Sequence, residues 1–320
     1  MAVFILRRLL QAAFTVFGVM LLSFLLFRVM PGDVSARYVS EKLGKEARQA
    51  WLEKHRLNLH LLYNKDVGFR PWRKDFYDAQ FFWHLHDSAT FRSRSYKTNE
   101  RLTDIIADRA KYSLAITVPA MALGWLLALV IASVVAYFRG TWIDHLGVFV
   151  SVLGMCVPFL AYMIGGQWLM FQIYPPAAWG LHNPFNIYVP VSIAVIAGLG
   201  GSVRFYRTVI LDEANRDYVR TALAKGVPLP GVMFKHVLKN CMLPILTQLV
   251  MVIPFLIMGS LLLEQFFGIP GLGDLLLTSI NDRDVPVVTG LTFLTAVIYT
   301  LALLLTDILY AVFDPRVRLR

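Results

Sequence analysis

The chain has 320 residues, of which 57% are hydrophobic and 16% charged, with 31 Lys and Arg against 21 Asp and Glu and a formal net charge of +10. So small a polar fraction cannot coat a soluble fold of this length, which sets aside the soluble enzyme classes in favour of a membrane protein. The two cysteines, Cys156 and Cys241, exclude a disulfide framework and a CxxC metal site.

Crossing a bilayer takes about 20 apolar residues at a helical rise of about 1.5 Å each. Six runs meet that length: Leu9 to Phe27, Tyr112 to Phe138, Leu146 to Ile173, Phe185 to Val203, Cys241 to Leu263 and Val285 to Thr306. None contains Asp, Glu, Lys or Arg. Their periodicity is helical or continuous, and a backbone in lipid must satisfy its own hydrogen bonds, so the expected fold is an all-α six-helix transmembrane bundle rather than a barrel.

Residues 1–30 form the N-terminus and first span. Arg7 and Arg8 ahead of an apolar run could open a secretory signal, but the run covers 19 residues and ends in FRVMPGD without a small-residue cleavage pattern, so an uncleaved helix is expected. Residues 31–111 form an insertion of 81 residues with 16 basic and 11 acidic side chains. It starts with the helix-compatible EKLGKEARQAWLEKHRLNLHLLY and turns aromatic at FRPWRKDFYDAQFFWHLHDSATF, the pattern of a packed cap with interfacial anchors. His84 and His86 could share a metal if HLH were a strand, yet no third ligand accompanies them, and cap histidines are the expectation. TNERLTDIIADRAK reads as an amphipathic helix leading into the second span.

Residues 112–313 hold five further spans and the loop at 204–240, and residues 314–320 form a short tail. Pro119, Pro158, Pro244 and Pro254, the pair Gly165 and Gly166, and GLGG at 198–201 favour kinks and close helix contact. The ionisable residues beside the spans, Arg28, Glu264 and Asp307, all lie near helix ends, where snorkelling or local pairing suffices. No carboxylate or histidine relay of the kind a proton-driven transporter uses runs through the spans.

In the loop, LDEANRDYVRTALAKG reads as one helix that ends at Gly226, with Lys225 in its last turn and Pro228 and Pro230 barring continuation. A second short helix, GVMFKHVLKN, sets Lys235 and Lys239 one turn apart before the chain re-enters the membrane at CMLPILTQL. The spacing of Ala222 and Gly226 in a basic element also suits a helix-turn-helix, but prolines occupy the start of the would-be recognition helix and both ends are tied to the bilayer, so no nucleic-acid partner is expected. A plain basic loop lying near anionic lipid is the other structural alternative. Beyond it, IPGLG and NDRDVP, with Ile269, Pro270, Gly271, Gly273, Arg283 and Asp284, either form a folded gate-like loop or only turn the chain.

Lys and Arg set the orientation. With a cytoplasmic N-terminus, the inner segments hold 13 basic residues, seven of them between Arg204 and Lys239, and the short outer connections hold only Arg283. Both termini are then cytoplasmic. The long insertion is extracytoplasmic, since segments of its length cross largely regardless of charge.

The loop resembles the EAA-type loop of inner-membrane permeases of bacterial ABC importers, in the dipeptide and oligopeptide permease branch, through Asp217, Tyr218, Val219, Arg220, Thr221, Ala222, Ala224, Lys225 and Gly226, followed by His236, Leu238, Asn240 and Pro244. The opening FILRRLL with MPGD, the run FFGIPGLGDLLLTSINDRDVPVVTG and the closing TDILYAVFDPRVRLR are similar to that branch in the same order. Two departures stand out: LHDSATFRSRSYKTN lacks the glycines usual in the first external segment, which leaves the substrate class open, and Leu223 replaces a frequent arginine.

The resemblance implies a type I importer permease that pairs with a second homologous permease, two cytoplasmic ATP-binding subunits and an extracytoplasmic solute-binding protein, in a bacterial inner membrane. It implies that Asp217, Tyr218, Arg220, Thr221, Ala222, Lys225, Gly226, Lys235 and His236 serve ATPase coupling. The chain has no GxxxxGK[ST] phosphate loop, so ATP and Mg are expected on the partner subunits, with no catalytic residue or cofactor here. Short peptides are the expected substrate, with nickel complexes or oligosaccharides as alternatives in the same machinery. A stand-alone secondary transporter or channel is the alternative from another class.

Overall fold

A computed structural model describes residues 2–29, 34–39, 44–173, 184–258 and 260–313, with side chains from 6–27, 34–39, 44–173, 186–253 and 260–308. The MPGD exit, the Arg28 and Pro254 side chains, and the tail with Arg316, Arg318 and Arg320 lie outside the described residues. No strand occurs among the described residues; the helices are α1 (Ala2–Val29), α2 (Ser35–Tyr38), α3 (Gly44–Lys54), α4 (Gln80–Ala89), α5 (Leu102–Tyr137), α6 (Trp142–Cys156), α7 (Phe159–Ile173), α8 (Tyr188–Ala214), α9 (Asp217–Ala224), α10 (Leu229–Gly231), α11 (Leu238–Met258), α12 (Leu261–Phe267), α13 (Leu272–Asp282) and α14 (Val285–Phe313).

Burial follows lipid rather than water. Phe14 is 78% exposed, Trp168 64% and Phe149 62%, while Ser113, Asp144 and Gln167 are buried. Apolar side chains facing outward and polar ones facing inward suit a hydrocarbon surround, where an outward polar group would lose its hydrogen bonds. Among the described residues, five helices are long and apolar enough to cross a bilayer: 6–27, 102–137, 188–214, 229–253 and 285–308.

The third expected span is a correction. The run from Leu146 to Ile173 is not one rod but α6 and α7, of 15 residues each, bent by 98°. Pro158 causes the break: it forces Val157 out of the helical region, to φ −79° and ψ 122°, and deprives the helix of a donor. Each half reaches only about 22 Å, short of the ~30 Å hydrocarbon core, so the two act as a broken pair.

The chain divides into two units: Met1–Lys111 with Gly271–Leu301, and Tyr112–Pro270 with Ala302–Arg320. In the first, Phe81 packs edge-on against Phe24 of α1, and Tyr63, Phe76, Tyr77 and Phe82 form a ring cluster around it. Aromatic density in the insertion therefore serves its own packing, while Phe69 and Trp72 stay more than three-quarters exposed. HLH lies on α4, not on a strand, which overturns the geometry a shared metal required: His84 stacks on Phe24 and His86 stands exposed beside Asp87. No cluster of three possible metal-ligating side chains occurs among the described residues.

In the second unit α6 lies against α8. A Cβ on Gly200 would stand 2.6 Å from the Ser151 carbonyl oxygen, so only glycine permits this approach. Within GLGG, Gly198 and Gly201 have open space instead. Gly166 meets Ile193 similarly, at 2.7 Å, while Gly165 meets nothing. Cys156 is exposed and Cys241 buried, both as free thiols.

Candidate coupling loop and external turn

Two sequence expectations about the loop change. Helix α8 continues out of the apolar run to Ala214 and stops at Asn215, so LDEANRDYVRTALAKG is not one helix: Arg216 is extended and α9 starts afresh at Asp217. GVMFKHVLKN is not a separate helix either. The chain from Leu229 passes through a π-helical turn, Val232–Val237, straight into α11.

The end of α9 forms as expected. Gly226 donates to the Leu223 carbonyl at 2.9 Å and Val227 to that of Ala222 at 3.2 Å, the paired bonds of a Schellman cap, with Gly226 at φ +80°. Ala222 and Val227 each pack against the core cluster. Nothing lies within 4 Å of a Cβ at Gly226, so the glycine answers the left-handed backbone and not a lack of room.

The apolar side of the loop is sunk into the helices. Val219, Val232 and Val237 join Ala132, Tyr206 and Ile210 in one buried cluster, which also holds Cys241 and Ile245 of α11. This leaves Asp217, Arg220, Thr221, Lys225 and Lys235 exposed and Tyr218, Ala222 and His236 half-buried. Thr221 bonds back to the Asp217 carbonyl at 3.0 Å, and Arg220 stands 3.9 Å from the Asp217 carboxylate in open solvent, a pair of little energetic weight. Leu223 and Leu229 stay more than 40% exposed.

Tyr218 faces inward. Its hydroxyl donates to Glu213 of α8 at 2.9 Å and lies 3.5 Å from the His236 carbonyl, joining α8, α9 and the π turn. Burial, with the Glu213 carboxylate beside it, pushes the phenol above its ordinary range.

Sequence reasoning missed the anchor beneath this loop. Arg207 of α8 donates to both carboxylate oxygens of Asp144 at the start of α6, at 2.7 and 2.9 Å, and the Gly140 amide donates to the same carboxylate at 3.0 Å. Asp144 is buried, and a two-pronged charge-assisted pair is the arrangement that tolerates such burial. Arg139 adds a bond to Asn215 at 3.2 Å, at the α8–α9 junction. The signal available in the sequence is Asp144 near a helix start with Arg207 just past an apolar run, though nothing local pairs the two across 63 residues.

The residues of the IPGLG and NDRDVP elements divide. Ile269 is buried in the second unit with Ile116, Met163, Leu263 and Phe267, and Pro270 follows it. Glu264, fully buried there, accepts from Ser113 of α5 at 2.7 Å, a local pairing. Gly271, Gly273, Arg283 and Asp284 belong to the first unit, where Gly271 caps α13 and Gly273 is buried within it.

Arg283 ends α13 in the left-handed region at φ +57°. The buried Asp284 carboxylate accepts from the Ser95 hydroxyl and from the Tyr96 amide at 3.0 Å. Beside it, Asp282 holds Lys97 at 2.6 Å and Arg37 at 3.2 Å, and its carbonyl accepts from Tyr38 at 2.8 Å. The NDRD turn is thus a clasp for the insertion.

The described residues define a polytopic helical membrane protein whose spans fold around a short, doubly anchored loop. Residues 121–319 match the family described as binding-protein-dependent transport system inner membrane component, and residues 1–117 match its N-terminal companion family. The chain belongs to this family and has the type I ABC importer permease fold. It is similar to the oligopeptide transport system permease protein AppB of Bacillus subtilis, at 29% identity over 99% of both chains. It is 31% identical to the dipeptide transport system permease protein DppB of Lactococcus lactis over all of both chains, and 30% identical to the glutathione transport system permease protein GsiC of Escherichia coli over 98% of both.

Proposed function

We propose that this permease admits short peptides delivered by an extracytoplasmic binding protein, and that residues 217–236 dock on a cytoplasmic ATP-binding subunit. The observation that carries the docking reading is the division of the loop into a buried apolar side, at Val219, Val232 and Val237, and an exposed side bearing Arg220, Leu223, Lys225 and Lys235. The buried side is continuous with α8 and α11, so displacement of the exposed side moves the spans instead of being absorbed in slack chain. Exposed cations with two exposed leucines suit an acidic groove with an apolar floor.

ATP-driven closure of two such partners then rocks this chain against a second permease. The basic bias of the loop and termini supports a bacterial inner membrane with both ends cytoplasmic. Peptide substrates are supported by the named activities of the relatives.

The test is a single cysteine at Leu223 in the full complex, paired with cysteines scanned across the ATP-binding subunit. Cross-links that form at Leu223 and not at Trp72 support docking. Purification of the chain alone, with uptake that follows an ion gradient and ignores ATP, defeats it. Competition among peptides, nickel complexes and oligosaccharides for ATP-dependent uptake decides the substrate.

A further inference from the structure

The first unit contains a cavity of about 260 Å³ whose lining includes Lys54, Arg56, Arg92 and Arg94 against a single carboxylate, Asp87. Gathering four cations around one small space costs repulsion unless an anion occupies it. Two of them are held in place: Arg56 lies 3.5 Å over the Trp83 ring and 4.0 Å from Asp87, and Arg94 donates to the Asn99 carbonyl at 2.8 Å. Among the described residues, neither Lys54 nor Arg92 has an ion-pair partner.

Gln80 lines the same cavity and is 7% exposed. Its Nε2 donates to the carbonyls of Leu57 and Leu59, which fixes the amide orientation, and its Oε1 is buried without a hydrogen-bond partner. An orphaned buried acceptor beside a cluster of cations asks for a ligand that carries both a negative group and a hydroxyl.

Location narrows the source. The lining also includes Phe24, near the end of the apolar run of α1, and Val285, Pro286 and Thr289, in the first turns of α14. A cavity at the ends of two spanning helices sits at headgroup height, where phosphodiesters are concentrated. We propose that this cavity binds the phosphate of an anionic phospholipid headgroup, with Lys54, Arg56, Arg92 and Arg94 facing the phosphate and Gln80 Oε1 accepting from a headgroup hydroxyl.

That the lipid belongs to the outer leaflet rests on the orientation proposed above. The site itself requires neither ATP coupling nor peptide transport, so its failure leaves those readings standing.

The test uses the full chain reconstituted in vesicles of equal parts phosphatidylcholine and phosphatidylglycerol, extracted in detergent and weighed by native mass spectrometry. Wild type retains phosphatidylglycerol. K54Q/R92Q, which alters only exposed side chains, retains it about 25-fold more weakly, from roughly fivefold per cation removed at a lipid surface. K65Q/R73Q, which removes equal charge from the same insertion away from the cavity, behaves as wild type. Displacement of the retained lipid by inorganic phosphate supports the shared oxyanion chemistry. Equal retention in wild type and K54Q/R92Q overturns the proposal, as does equal loss in K65Q/R73Q, or binding of inorganic phosphate by a wild type that retains no phosphatidylglycerol.

Discussion

Arg207 grips both oxygens of the buried Asp144 carboxylate, fastening α8 to α6 about two turns before α8 gives way to α9. Asp144→Ala leaves a guanidinium largely buried without its partner, and costs roughly 3–5 kcal/mol of stability on the scale of broken buried pairs. The double variant D144A/R207M recovers much of that loss. Thermal unfolding in detergent of the single and double variants checks this; a double variant no better than D144A refutes the idea that the stranded charge dominates.

Gly226 is required for its backbone conformation, which separates side-chain size from strain. Gly226→Asn, which tolerates the left-handed region, keeps coupling near wild type, while Gly226→Val costs about 1–2 kcal/mol at the cap and lowers peptide transported per ATP hydrolysed. If Asn uncouples as strongly as Val, the added bulk matters through the partner and not through the cap.

Gly200 of α8 sits directly against the backbone of α6 at Ser151 and Met155. Gly200→Ala is resisted by the Ser151 carbonyl, a backbone atom that cannot rotate away, and destabilises the protein by about 1–3 kcal/mol. Gly198→Ala, with open space, is near neutral beyond its gain in helix propensity. Melting temperatures of the two variants make the comparison, and equal shifts would count against close packing at Gly200.

Tyr38 gives the insertion a pH signature. Burial, followed by the nearby Asp284 and Asp282 carboxylates, raises its phenol above the ordinary value of about 10. Because the folded value is the higher one, its contribution to stability is complete below about pH 10 and is lost as the pH climbs through the folded value. A difference titration of tyrosinate absorbance between wild type and Tyr38→Phe therefore shows a late-ionising phenol, and a difference curve centred near the ordinary value rules this out.

Asp284 carries the clasp. Asp284→Ala frees Ser95 and Tyr96 from their acceptor, and local opening raises hydrogen exchange across 93–101 without changing exchange at 217–227. Unchanged protection at Tyr96 would show that the neighbouring Asp282 pairs alone hold the segment.

The spans, the basic loop and its glycine stop were legible because each depends on local composition or on one conformational need, as at Gly226. Contacts between distant segments were not. Asp144 and Arg207 are 63 residues apart, and Asp284 reaches Ser95 across 189. The proline at 158 is visible in the sequence, but nothing local says whether a helix bends by about 20° or turns by 98° there. Val219, Val232 and Val237 could not be told from loop residues, since the core that buries them is assembled from α5, α8 and α11.

The π turn at Val232–Val237 sets the phase between the loop and the membrane. Such a turn holds an extra residue relative to α periodicity, and one residue corresponds to about 100° of rotation. A wheel drawn from sequence at constant pitch would therefore point Leu229 and Pro230 at the wrong neighbours. Removing one residue within 232–237 would let the segment relax to α-helix and swing the cap of α9 by about a quarter-turn against α11, a change of heading with no change of composition.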